Sequence, residues 1–212
     1  MAVAGGWPYG WACPGPGRSD SSRVCWNGNF LSATPASAKP ARLPGALLAD
    51  KTRDWEDCAG WIRAQQAAGR RVVFTNGCFD LLHAGHVHLL RAARELGDHL
   101  VVGLNSDQSV ARLKGPDRPV MPLEDRTAIV GALEMVEVVV VFPKEPAGAI
   151  ADYERHDTPQ ELLKLLRPDV LVKGGDYTID EVVGREYAGQ VRVIPLLPHR
   201  STSLLLQRLA GS

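Results

Sequence analysis

Residues 74–90 read FTNGCFDLLHAGHVHLL, and the fold turns on how this stretch is understood. It opens as an apolar strand and closes as an apolar helix. Between them lie Asn76, Gly77, Cys78, Asp80, His83 and His86, with His88 just beyond. A chain that crowds polar groups into a strand-to-helix turn is building a site there. Three chemistries compete for it: a metal centre, a phosphate cradle and a redox cysteine.

The phosphate reading has physical support. Gly77 lets the backbone approach a bulky anion or take a positive φ. The helix that follows offers free N–H groups and a partial positive charge at its start. His83 and His86 are three residues apart, so they share a helical face and can reach the same ligand oxygens. Zinc would need a third ligand, from Cys78 or Asp80, and Gly85 inside the pair favours close ligand approach over rigid presentation of a metal ligand. Cys78 has no resolving cysteine near it in sequence, which weakens the redox reading. His88 falls off the shared face and reads as surface.

Outward from this turn, strands alternate with helices. Residues 54–69 predict a helix, with Trp55, Cys58, Ala59 and Ile62 at helical spacing and Gly69 as its stop. Residues 70–75 predict a buried strand, 83–97 a helix closed by Gly97, and 99–107 a second strand. Residues 122–136 predict a helix with Pro122 near its start and Asp125 in its first turn. A third strand follows at 137–142. Residues 158–168 predict a helix with Thr158 as N-cap and Pro159 at its first position. Strands at 169–175 and 190–196 and a helix at 201–211 complete the series. The strands are continuous Val, Ile and Leu runs, as in a parallel sheet covered on both faces. The expectation is an α/β fold, a doubly wound parallel sheet of about five strands, with ligands at the strands' carboxyl ends. The polar clusters TNGCFD, NSD and KGGDY stand at three of those ends.

The chain has 212 residues, one domain with something appended. Its 24 Lys and Arg balance 24 Asp and Glu, so net charge points to neither nucleic acid nor an acidic membrane surface. No run reaches the apolar length of a membrane helix, and the N-terminus lacks the order of a secretory signal. The four cysteines, Cys13, Cys25, Cys58 and Cys78, form no CxxC pair, which suits a reduced, cytoplasmic setting. Residues 1–49 are rich in Gly, Pro, Ser and Ala and read as a disordered extension, although Trp7, Trp11, Trp26 and Phe30 stand out in it.

The motif TNGCFDLLHAGH resembles the signature of the HxGH nucleotidyltransferase superfamily. The likeness continues in order through VVGLNSDQSVARLKGPDRPV, PDVLVKGGDY and RSTS, across roughly residues 55–210. TNGCFD together with LVKGGDY resembles most narrowly the nucleotidyltransferase domain of bacterial heptose-1-phosphate adenylyltransferases. The resemblance implies a Rossmann-like sheet of HxGH type over residues 50–212. It implies transfer of AMP from ATP to a sugar 1-phosphate, foremost D-glycero-β-D-manno-heptose 1-phosphate, giving ADP-heptose and pyrophosphate. A cytidylyltransferase acting on glycerol 3-phosphate or a similar alcohol phosphate is the close alternative. A nucleotide sensor that kept the fold without catalysis is a more distant one.

The resemblance also implies residue roles. His83, His86, Lys114 and Arg126 are the expected catalytic residues, with Lys114 on a closing Gly/Pro loop. Asn76, Gly77, Cys78, Phe79, Lys173, Gly174, Asp176, Ser201 and Thr202 join the histidines in binding the nucleotide. Asp80, Asn105, Asp107 and Lys114 fall on the substrate side. Mg²⁺ is expected with ATP, without a dedicated protein cage. The sugar-kinase domain fused to many relatives is not expected here, so a separate kinase would supply the phosphorylated sugar. A homodimer is left open. The connection at 143–157 is longer than the family's, and RSTS replaces the more usual Ser-Thr-Thr.

Overall fold

The computed structural model describes residues 23–26, 29–32, 51–143 and 157–210. The chain divides into two compact units, Met1–Arg42 and Leu43–Ser212. In the first, β1 (Arg23–Trp26) and β2 (Asn29–Ser32) pair antiparallel as a hairpin. Strand pairing is thus present inside the extension that reads as unstructured. The remainder of residues 1–49 lies outside the described residues.

The second unit holds a six-stranded sheet in which every pairing is parallel. Its strands are β3 (Thr52–Arg53), β4 (Val72–Gly77), β5 (His99–Asn105), β6 (Val138–Phe142), β7 (Val170–Gly174) and β8 (Gln190–Ile194), in the order β3-β6-β5-β4-β7-β8. The sheet has one strand beyond the expected five. β3, two residues on the edge beside β6, is too short to show any periodicity.

Helices cover both faces, as the continuous apolar strands require. On one face α1 (Trp55–Ala67) and α5 (Gln160–Leu166) bury Ile62, Leu162 and Leu166 against Val72, Phe74 and Leu171. On the other, α2 (Ala84–Arg94) and α4 (Leu123–Gly131) bury Leu89, Leu90, Ala93 and Val130 against Val73, Val102 and Val172. Neighbouring strand residues go to opposite faces, the two-residue period of a strand. Burying a core leucine or valine of this kind is worth roughly 1.5–3 kcal/mol each. The caps follow the sequence in α1, where the Asp54 carboxylate accepts from the Asp57 N–H at 2.8 Å.

The structure corrects three local expectations. α5 begins one residue later than expected: Pro159 is its N-cap, and Thr158 lies outside it. α4 ends at Gly131 rather than continuing to residue 136. Residues 107–114, expected to run from strand end into loop, form a further helix, α3 (Asp107–Lys114), capped by Ser106, whose hydroxyl accepts from the Ser109 N–H. The long connection at 143–157 lies outside the described residues except at its two ends.

Candidate active site

β4 is the pivot of the sheet. The chain runs from β4 to its neighbour β5 and then to β6, and returns to the other side of β4 as β7. β4 and β7 pair as far as Thr75 and Val172, where the Thr75 hydroxyl donates to the Val172 carbonyl at 3.0 Å. Beyond that point β4 stays with β5, and β7 stays with β8. The two strands part, and a crevice opens at their carboxyl ends. Crevices at such a reversal of strand order are where open α/β sheets bind ligands. Asn76 and Gly77 form one lip, Lys173 and Gly174 the other.

From Gly77 the chain enters a tight turn. Phe79 and Leu81 have φ of 46° and 51°, left-handed values that cost a non-glycine residue energy. Asp80 holds the turn in that shape. Its carboxylate, 1% exposed, accepts from Arg118 Nε at 2.7 Å and from the Val120 and Met121 N–H groups at 3.0 Å. Burial alone would raise its pKa, but these donors outweigh it and hold the carboxyl below its usual value. The Asp80 carbonyl accepts from the Thr202 hydroxyl at 2.7 Å, which ties in α6 (Thr202–Ala210). Expected on the substrate side, Asp80 here fastens three chain segments together.

The two histidines follow. His83 is the N-cap of α2, and its Nδ1 accepts from the Gly85 N–H at 3.1 Å. His86 Nδ1 accepts from the His83 N–H at 3.4 Å, completing a reciprocal cap. The rings stack with centroids 3.9 Å apart. An accepting Nδ1 leaves the proton of a neutral imidazole on Nε2. Each ring therefore has an Nε2–H to offer a ligand. Burial, and then Arg200, lowers the pKa of His83; burial, and then His83 itself, lowers that of His86 to about 4. The free site presents neutral donors, as suits hydrogen bonding to an anion without buried fixed charge. The ring of Phe79 is buried in the core and supports His86 at a centroid distance of 5.1 Å.

Gly85 is required by this geometry. A Cβ there would stand 2.9 Å from His83 Cε1 and 3.1 Å from the Arg200 carbonyl. Gly85→Ala should displace His83 and the start of α6 together. The expected result is a loss of about 10-fold or more in nucleotide affinity, read by calorimetry with a non-hydrolysable triphosphate, with far-UV circular dichroism preserved.

Comparisons with known proteins give the family. The cytidylyltransferase-like family model matches residues 74–204, from the middle of β4 into α6. The chain belongs to the cytidylyltransferase-like family. As a member of that family it is an enzyme of nucleotidyltransferase type. It is 48% identical over 180 residues to the bifunctional protein HldE of Magnetococcus marinus, covering 80% of this chain and 34% of that protein. It is 45% identical over 184 residues to that of Geobacter sulfurreducens, covering 82% and 35%. The chain thus spans about a third of the length of these relatives. Among solved structures, pantoate-beta-alanine ligase from Francisella tularensis shares the fold, with a TM-score of 0.50 and 19% identity over 73% of this chain and 69% of that one.

In this cytidylyltransferase-like domain the other expected site residues divide into two groups. Arg126 and Asn105 are buried and committed to contacts within the protein, and Asp107, its side chain 45% exposed, is engaged by Arg126. The Arg126 side chain is 0% exposed and donates to the carbonyls of Met121, Cys78 and Asn105 and to Asp107 Oδ1. Asn105 Nδ2 donates to Ser109 Oγ at 2.9 Å. These residues shape the turn from behind. Lys114, Lys173, Asp176 and Ser201 stay at the site's surface. Lys114 is the last residue of α3, followed by Gly115 at φ 102°, so a helix rather than a loop carries it. Ser201 is exposed and caps α6, its Oγ accepting from the Leu204 N–H at 3.2 Å. Cys78 is half-buried; burial pushes its thiol pKa up against the pull of Lys114 and Arg126, which disfavours the thiolate. His88, expected at the surface, is half-buried. Sequence reading missed Arg118, which reaches back to Asp80 across 38 positions. It also missed Arg200, although the RSTS motif begins there.

A small cavity of about 80 Å³ adjoins His83, lined also by Arg200, Ser201 and Leu204 among others. A larger open cleft of about 550 Å³ lies at the amino ends of β4 and β8. Its polar groups satisfy each other, as where Arg71 Nη2 donates to Gln190 Oε1, and it is remote from the crevice.

The histidines also set a pH dependence. A folded pKa of about 4 for His86, against 6.5 without the fold, means the unfolded chain binds more protons between those values. Stability therefore declines as pH falls from about 6.5 toward 4. Urea unfolding across that window should show a shallower decline for His86→Gln than for wild type; equal slopes would show that His86 is not the group responsible.

Proposed function

We propose that the chain transfers AMP from ATP to a sugar 1-phosphate, foremost D-glycero-β-D-manno-heptose 1-phosphate, and releases pyrophosphate. The observation that carries this reading is the stacked pair of histidines that caps the start of α2, directly after the turn that leaves β4. The 45–48% identity to HldE proteins and the quoted TNGCFD and LVKGGDY motifs support the narrower substrate.

An oxygen of the sugar phosphate attacks the α-phosphorus of ATP. The bond from that phosphorus to the bridging oxygen breaks, and pyrophosphate carries away the electron pair. No covalent enzyme intermediate is needed, so positioning and charge stabilisation do the work. His83 and His86 donate from Nε2 to oxygens of the transferring phosphoryl group, where negative charge builds up. Backbone from Asn76 to Phe79 and the N-terminal turn of α6, capped by Ser201, line the phosphates. Lys114 supplies a flexible point charge at the rim.

Mg²⁺ fits as an ion that arrives with the triphosphate. Among the described residues no group of three or more His, Cys, Asp or Glu side chains is placed to hold a metal. Exposed Asp176 at the crevice mouth is free to meet a hydrated ion, whereas Asp80 and Asp107 are engaged by arginines. Such an ion would offset charge on the triphosphate. The activity resides in residues 50–212, and a kinase must phosphorylate the sugar beforehand. These substrates put the reaction in the cytoplasm.

The test is a panel of ATP and CTP against sugar 1-phosphates and glycerol 3-phosphate, with pyrophosphate release as readout. Release with ATP and a heptose 1-phosphate is expected. Release with CTP and glycerol phosphate alone would replace this reading with the cytidylyltransferase one.

A further inference from the structure

Asp80 is the point at which the turn bearing the histidines is held. It stands between Phe79 and Leu81, the two residues with left-handed φ values of 46° and 51°. Two non-glycine residues in that region make a turn that persists only where its surroundings over-determine it. The Phe79 ring lies against His86, with centroids 5.1 Å apart, and His83, two residues after Leu81, caps α2. The backbone at Asp80 therefore sets where both imidazoles stand.

The grip on the Asp80 carboxylate comes from one short segment. Arg118 Nε and Nη2 donate to Oδ2 at 2.7 and 2.6 Å, and the Val120 N–H donates to it at 3.0 Å. The Met121 N–H donates to Oδ1 at 3.0 Å. The two backbone donors orient the carboxylate; Arg118 supplies the charge that a buried carboxylate requires. The Asp80 carbonyl in turn accepts from the Thr202 hydroxyl, so the start of α6 follows the turn. Arg126 fixes the surroundings separately. It donates from Nε to the Met121 carbonyl at 3.1 Å and from Nη1 to the Cys78 carbonyl at 2.6 Å. Loss of Arg118 thus frees Asp80 while Arg126 keeps the segment and the first residue of the turn in place.

We infer that Arg118 is a positioning residue for the transfer: through Asp80 it fixes the turn that aims His83 and His86 and the start of α6, and it does so without touching substrate. Its guanidinium is half-buried, with two nitrogens turned onto the carboxylate.

Kinetics and spectra test it. Arg118→Met should lower kcat by about 10- to 100-fold, the usual cost of displaced catalytic groups, with KM for ATP and for the sugar 1-phosphate within about 3-fold of wild type. Arg118→Lys, which returns one charged donor, should recover part of the rate. Added to Asp80→Asn, Arg118→Met should cost less than about 2-fold more, because both act through one contact. A raised acceptor KM at unchanged kcat would make Arg118 a substrate contact and overturn the inference. Losses that multiply in the double variant, or no change at all, would also overturn it. The kinetic half rests on the proposed reaction; the spectra need no turnover. In the ligand-free protein the stacked rings of His83 and His86 shift each other's proton resonances. Arg118→Met should move those resonances, while the methyl signals of Val101 and Val140, in the core on the α1–α5 face, keep their places. Unmoved histidine resonances would sink the inference. Loss of the core signals as well, in this variant and in Arg118→Gln, would assign Arg118 to the fold and sink it too. If wild type transfers nothing, the proposed reaction fails, and the histidine resonances still decide the role of Arg118.

Discussion

His86→Ala should lower kcat by about two to three orders of magnitude, with a much smaller effect on KM for ATP. That is the usual cost of removing one hydrogen-bond donor aimed at charge that develops in the transition state. The geometry explains why the loss falls on kcat. His86 Nδ1 is occupied by the His83 N–H, so only Nε2–H remains for the ligand. Its pKa of about 4 keeps the ring neutral at pH 7, so it attracts the ground-state triphosphate less than a cation would. The variant also loses the reciprocal cap and the stacking partner of His83. His86→Gln separates the two effects, since its amide can donate close to the former Nε2 position. It should recover a measurable part of the rate. Pyrophosphate release at saturating ATP checks this, and an alanine variant with wild-type kcat would remove His86 from the catalytic step.

The largest stability effect should come from Arg126→Met, with an expected loss of about 3–5 kcal/mol. Arg126 is among the largest fully buried side chains of the protein. Its guanidinium joins the Cys78 carbonyl at 2.6 Å, the Asn105 carbonyl at 2.8 Å and the Met121 carbonyl at 3.1 Å, and it pairs with Asp107 at 2.8 Å. These partners belong to the turn after β4, the end of β5, the start of α3 and the loop before α4. Methionine fills much of the volume but leaves the carbonyls without a donor in a buried setting. Arg126→Lys should not rescue fully, because one ammonium cannot reproduce the planar fork. Urea denaturation reads the loss, and a midpoint within about 0.5 kcal/mol of wild type would show that the network carries no stability.

These predictions treat His86 and Arg126 differently, although sequence reading grouped them as catalytic. The strand–turn–helix around residues 74–90 was legible because its chemistry is local. An apolar strand, a glycine and two histidines spaced over one helical turn say most of what matters. Five of the sheet's six strands were legible for a similar reason, since burial on both faces leaves uninterrupted Val, Ile and Leu runs. α3 was not, because its eight residues, DQSVARLK, are polar enough to read as a strand end running into a loop. Its cap, Ser106, could have signalled it. Edge strand β3 pairs through backbone alone and leaves no side-chain pattern.

By itself, then, the sequence determined the parallel α/β sheet, the position of the HxGH turn at a strand end, and the family. The sheet and the turn follow from periodicity and from neighbours a few residues apart, and the family from the resemblance of the motifs. Only the tertiary structure decided which charged residues remain available to a ligand. Asp80 and Arg118 meet across 38 positions, and Arg126 reaches Cys78 across 48. A buried ion pair and an exposed one are written with the same letters, and long-range packing alone determines which side chains are consumed by the fold.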